Sequence, residues 1–241
     1  MGHFETYSKK ELKISYDSGE TWESTTPPVF EYEKYKDFNT LYDAYIDLPD
    51  CVKAVFFGRN GNIYTYYCGD DKGDILDDWP GADGGYKLLV VGKCVRCIAD
   101  EAFYRTTVDR VVFAMDGELE CIGNCSFYMS GIKEDVIIPP SVTLIRHGAF
   151  GCNSTPYYEI QGRPLIEGTA FVQGSGSRTF KFLSPIPPVM EESTYNCIFH
   201  CGNINYYCTT FCNYKLMYPA IGTEQWSQYD MYFQNVERFD M

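Results

Sequence analysis

The chain has little of what most quickly assigns a protein to a large functional class. Its 241 residues include only three histidines, His3, His147 and His200. A Ser-His-Asp or Cys-His arrangement would have to draw on His147 or His200, and both fall within the repeat units described below. No run of eighteen consecutive apolar residues occurs, so no segment is long enough to cross a bilayer as a helix, and membrane insertion is not expected. Basic residues never cluster beyond Lys9-Lys10, and a net charge of −13 repels a phosphate backbone, so nucleic acid is set aside as a partner. The start, Met1-Gly2-His3-Phe4-Glu5-Thr6-Tyr7, offers no charged segment followed by an apolar one, and reads as no secretory signal.

What the chain does have is aromatic and aliphatic residues in a pattern. It is 45% hydrophobic and 22% charged, enough apolar material for a packed core. The 21 Tyr and 16 Phe suit a strand-rich protein or a binding surface, because Tyr joins a large apolar body to a polar tip. Eleven cysteines, an odd number spread along the chain, fit buried reduced thiols better than a disulfide framework.

Aligning the chain on itself reveals a repeat of aliphatic, three residues, small residue, aromatic. It occurs at Ile98…Ala102-Phe103, Ile122…Ser126-Phe127, Ile145…Ala149-Phe150 and Ile166…Ala170-Phe171, with a looser copy at Met190…Thr194-Tyr195. The aromatics are 24, 23, 21 and 24 residues apart. A period in the low twenties marks a solenoid, whose units bury their apolar faces only against their neighbours. Ahead of each aliphatic position lies a β-branched or aromatic run: Lys87–Val91, Arg110–Phe113, Asp135–Ile138, Tyr157–Ile160 and Thr179–Phe182. Turn-formers such as Pro139-Pro140-Ser141 and Pro185-Ile186-Pro187-Pro188 follow. Each unit thus reads as strand, turn, short second segment and small-aromatic corner, with the small residue letting adjacent coils approach.

The stretch Val136–Cys152, "VIIPPSVTLIRHGAFGC", resembles a unit of the BspA-like leucine-rich repeats. The family's closing segment, a late strand with Pro and then a Trp-containing helix, is resembled by Lys215–Pro219 and by Trp226–Phe239. The resemblance covers about Tyr86 to Met241. It implies a surface-exposed recognition or adhesion module, common in gut and oral Bacteroidales, without catalytic residues or cofactors.

Residues 1–85 do not follow the repeat. "SYDSGETW", Ser15–Trp22, resembles the Asp-box of sialidases and related β-propellers, a structural hairpin motif. Val52–Tyr67 reads as two strands joined at Arg59-Asn60-Gly61-Asn62, and Tyr35–Leu48 as a short helix. Asp70–Gly85 reads as a linker or long loop. The expected architecture is therefore mainly β: an N-terminal β-rich module over residues 1–85, then a short leucine-rich-repeat-like solenoid with a C-terminal cap over residues 86–241.

Three groups of residues invite chemistry. Cys197, Cys201, Cys208 and Cys212, with His200 beside them, have the composition of a zinc site, but Cys197 falls where Cys152 follows its own aromatic, so repeat thiols are the expectation and no metal is assigned. Cys94 and Cys97 form a CxxC without the βαβ context of a redox motif. The acidic run from Asp70-Asp71 through Asp77-Asp78 to Asp83 lacks the ordered ligands of a calcium loop. With Val111/Phe113, Val136/Ile138 and Tyr158/Ile160 pointing inward, the outer sheet face falls to Arg110, Val112, Asp135, Ile137, Tyr157, Glu159 and Lys181, which become the candidate binding residues.

The functional expectation is a non-enzymatic recognition or structural protein. The mismatch between a module usually exported and a start without a leader turns the expectation toward the virion of a phage infecting gut Bacteroidales, as a head, tail-fibre, decoration or receptor-interacting component. A bacterial cell-surface or secreted adhesin is the first alternative, and a carbohydrate-active enzyme or lectin the second. The expected partners are other protein chains in an oligomer or larger assembly, with a host glycan or receptor also considered.

Overall fold

The computed structural model describes residues 12–14, 23–25, 52–61, 63–67, 75–77, 84–172, 176–191, 198 and 212–241. Within them the chain is mainly β, and from β5 onward it winds as a stack of about six coils. Strands β1 (Leu12–Ile14) and β2 (Glu23–Thr25) pair antiparallel, so they bracket Ser15–Trp22 as a hairpin motif requires; that connection and the expected helix at Tyr35–Leu48 lie outside the described residues. β3 (Val52–Gly58) and β4 (Ile63–Tyr67) form the expected hairpin, with Gly61 at φ +85° in the turn.

The coils lay longer strands on one side: β6 (Tyr86–Val91), β8 (Val108–Phe113), β10 (Val136–Ile138), β12 (Tyr157–Ile160), β14 (Arg178–Phe182) and β16 (Cys212–Pro219), closed by β17 (Phe233–Phe239). They form two sheets, ordered β4-β3-β6-β8 and β10-β12-β14-β16-β17. On the other side two-residue strands stack in parallel: β5 (Ile75–Leu76), β7 (Cys97–Ile98), β9 (Cys121–Ile122), β11 (Leu144–Ile145), β13 (Leu165–Ile166) and β15 (Val189–Met190). All pairs among the coils are parallel, as expected when each strand is reached by a full turn of chain. Alternation sets the core: Val111, Phe113, Val136, Ile138, Tyr158 and Ile160 point inward, facing Ile98, Ile122, Ile145 and Ile166 from the short strands.

The corner between the two sides is built by the repeated aromatic. Phe103, Phe127, Phe150 and Phe171 are fully buried and stack face to face, with centroids 5.0, 5.4 and 5.7 Å apart and ring planes within 14° of parallel. Their amides run coil to coil: Phe103 N–H donates to Ser126 O at 2.7 Å, Phe127 N–H to Ala149 O at 2.8 Å and Phe150 N–H to Ala170 O at 2.8 Å. The small residue before each of these aromatics is thus the acceptor for the preceding coil. To turn within so few residues the backbone enters the left-handed region at the second residue before each Phe (Glu101, Cys125, Gly148, Thr169) and, on the far side, at Arg105, Met129 and Cys152.

Each turn also exposes a Phe carbonyl that needs a partner inside the protein. Thr106 N–H donates to Phe103 O at 3.2 Å, and the Ser130 hydroxyl to Phe127 O at 2.8 Å. Buried Asn153 donates to Phe127 O at 2.7 Å and Phe150 O at 3.1 Å, while its Oδ1 accepts from Ile132 N–H at 3.2 Å. In the next coil the buried Arg178 guanidinium takes over, donating to Phe171 O at 3.2 Å and to Asn153 O, between the rings of Tyr158 and Tyr214.

Three sequence expectations are revised. The fifth corner is made by Ile198, whose carbonyl accepts from Phe171 N–H at 3.1 Å in the place of Ser126, Ala149 and Ala170. The interval from Met190 to Ile198 is four residues longer than that from the aliphatic residue to the small one in the other units; Thr194 and Tyr195 lie outside the described residues. Asp70–Gly85 contains β5, which pairs with β7, so this segment contributes to the stack and is not purely a linker. The closing segment Trp226–Phe239 is only partly helical: short helical turns span Ala220–Tyr232 and carry buried Trp226, then β17 adds to β16.

Two outcomes follow. Phe150→Ala should destabilise the protein by about 3–5 kcal/mol in urea unfolding, the cost of emptying an aromatic site in a packed core. Thr169 is β-branched at φ +65°; relieving that conformation outweighs the entropy glycine adds to the unfolded chain, so Thr169→Gly should stabilise by roughly 0.5–1 kcal/mol. A lowered urea midpoint for Thr169→Gly would contradict the corner geometry.

Candidate functional site

All seven residues singled out from the sequence lie on or beside the outer side of the longer strands, but they fall into two environments. Arg110 and Val112, on β8, are buried, with Arg110 8% and Val112 2% exposed. Val55, Phe57, Leu88 and Val90 on the neighbouring strands β3 and β6 are buried too, outside the inward-facing core cluster. The outer face of the four-stranded sheet is therefore covered, and Arg110 and Val112 are not presented to solvent. Arg110 places Nε 3.6 Å from the Glu134 carboxylate.

From β10 onward the outer face is open. Asp135 is exposed at the start of β10, and Ile137, Tyr157, Glu159 and Lys181 are half-buried. Parallel register assembles them: Ile137, Glu159, Lys181, Met217 and Glu237 form one row across five strands. Tyr157, Thr179, Lys215 and Asn235 form the next. Two-residue alternation turns Tyr158, Phe180 and Leu216 into the core and these rows to the outside.

Glu159 is the hub. It accepts from the Tyr157 hydroxyl at 2.9 Å, from Gln161 Nε2 at 3.0 Å and from Lys181 Nζ at 3.1 Å. Burial alone would raise the Glu159 carboxyl, but these three donors outweigh it and hold the group below the ordinary glutamate value. Burial, then donation to the Glu159 carboxylate, then the Asp135 charge push the Tyr157 phenol well up, so it remains a neutral donor. Asp135 is raised by desolvation, partly offset by the Arg110 charge. Lys181 Nζ also lies 5.3 Å from the centre of the Phe239 ring, and Lys215 pairs with Glu237, joining β17 to the same surface.

Sequence reasoning missed Gln161, Lys215, Met217, Glu237 and Phe239. Lys215 and Met217 were accessible through their alternation with Leu216 and Tyr218. Glu237 and Phe239 were hidden because their segment was expected to be helical.

The remaining chemical candidates separate. Cys197, Cys201, Cys208 and His200 lie outside the described residues, as does the Cys212 side chain. Cys94 is disulfide-bonded while Cys97 is free, so the CxxC does not close on itself. Among the described residues Cys121, Cys125 and Cys152 are likewise outside any disulfide, and these three thiols and Cys97 are half-buried where full burial was expected. Of the acidic run, Asp77 is exposed and the other aspartates lie outside the described residues. His147 is an exposed corner residue, with Nδ1–H donating to Gly168 O at 2.6 Å. No protein-family model, curated protein or solved structure matches the chain.

The Glu159 cluster predicts a pH signature. A carboxyl whose folded pKa is depressed contributes stability that is present above its unfolded value and lost as pH falls through the folded one. Glu159→Ala should therefore cost about 1–3 kcal/mol at pH 7, and its deficit relative to the parent chain should shrink as pH falls below about 4. Equal deficits at pH 7 and pH 3 in urea unfolding would show that packing, not the ionised carboxylate, carries the effect.

Proposed function

We propose that this is a non-enzymatic recognition and assembly protein whose binding element is the open sheet face from β10 to β17. The observation that supports it most is the Tyr157–Glu159–Gln161–Lys181 cluster. Its donors and acceptors are fixed by one another, three of them on strands and Gln161 directly after β12, so little order has to be imposed when a partner arrives. Ile137, Met217 and Phe239 lie on the same face, a mixture of aromatic, thioether and ordered polar groups of the kind protein interfaces use.

Within this reading, residues 1–85 and the covered face of the four-stranded sheet form the attachment module, and residues 212–241 cap the stack. Repeats resembling the BspA-like family supply the solenoid between them. That resemblance favours an exposed recognition setting, for which we put forward a phage virion first and a bacterial cell surface second, with another protein chain as the partner.

Lys181 and Lys215 sit on the face and report on it. An amine-reactive cross-linker applied to purified particles or intact cells should join one or both to another chain, and Ile137→Arg or Met217→Arg should reduce those links at least fivefold. The reading is overturned if both lysines link only within their own chain. Glycan hydrolysis abolished by Glu159→Gln would overturn it in favour of an enzyme.

A further inference from the structure

The short-strand side carries a feature that the recognition face does not use. Cys97 and Cys121 occupy equivalent positions on β7 and β9, paired in register across parallel strands. Their neighbours Ile98 and Ile122 are fully buried, so alternation turns both thiols outward, where they are half-buried and free. The Cys97 S–H lies 3.5 Å from Ile98 O, leaving its sulfur to accept from the Cys121 thiol.

The two thiols project from adjacent strands whose backbones lie roughly 4.8 Å apart, close enough for that thiol-to-thiol contact. That backbone spacing lies within the Cα range of roughly 4.4–6.8 Å that a disulfide accepts, but forming one needs an oxidant. A single ion between the sulfurs needs none. With metal–thiolate bonds of about 2.3 Å, the value for zinc taken as a scale, a linear S–metal–S bridge spans roughly 4.6 Å. Zinc itself wants four ligands, and among the described residues no group of three or more His, Cys, Asp and Glu is placed to hold a metal.

We propose that Cys97 and Cys121 form a two-thiolate clamp for a soft, two-coordinate cation, of which monovalent copper is the biological representative. Binding exchanges two S–H protons for one monovalent ion and leaves a bridge of net charge −1, with no change of oxidation state. The Arg146 guanidinium acts on Cys121 in favour of negative charge, opposed by the Asp100 carboxylate that accepts from it at 3.2 Å.

The test is anaerobic titration of the full chain with copper(I), supplied as its acetonitrile complex, followed by timed alkylation with iodoacetamide and peptide mass spectrometry. Cys97 and Cys121 should become protected at the same equivalence point and react at least tenfold more slowly, while Cys125 and Cys152 alkylate at their metal-free rates. In Cys97→Ser protein, Cys121 should lose that protection. Protection of the two thiols at different equivalents, protection no greater than at Cys125 and Cys152, or continued protection of Cys121 in the Cys97→Ser chain would each overturn the proposal.

Discussion

The structure depends on the hydrogen bond that each corner aromatic's amide makes to the carbonyl before the next one. That bond fixes the coil spacing, and the ring spacing then follows: centroids 5.0–5.7 Å apart in nearly parallel planes. No single coil could bury its Phe alone, since both faces of the ring are covered by its neighbours. The left-handed residues on either side of each aromatic are the conformational cost of turning so tightly, offset by burial of the column.

Once the corners are stacked, the faces are determined. The longer strands must turn one set of side chains inward and the other outward, and register carries each outward position into a row. One such row brings Glu159 next to Lys181 and both within reach of Tyr157 and Gln161. The same logic on the short strands sets Cys97 beside Cys121, Leu144 beside Leu165 and Leu165 beside Val189. Repetition thus generates both a polar cluster and a thiol pair from residues far apart in sequence.

The aliphatic–small–aromatic repeat was legible because every member has a packing reason that recurs unchanged, and the alternation of Val111/Phe113, Val136/Ile138 and Tyr158/Ile160 was legible for the same cause. The Val52–Tyr67 hairpin announced itself through Asn60-Gly61. The fifth corner was not legible: additional residues shift it to Ile198, and Thr194-Tyr195 imitates the pattern at the regular interval. β5 is two residues within a run of Asp and Gly, and only its pairing with β7 makes it a strand. Glu101, Arg105 and Met129 adopt left-handed conformations without the glycine that would have signalled them. The burial of Arg110 and Val112 was equally out of reach, because alternation says which way a side chain points but not what lies over it.

Hydrogen exchange at the corner amides tests the stacked-coil account most directly, since the amides of Phe103, Phe127 and Phe150 lie between strands and would be rapidly exchanging loop amides in any fold without coil-to-coil bonding. The account predicts that these amides exchange as slowly as those of Val112 and Tyr158 in the adjoining strands, in one cooperative unit. Exchange at open-loop rates while the strand amides stay protected would contradict it.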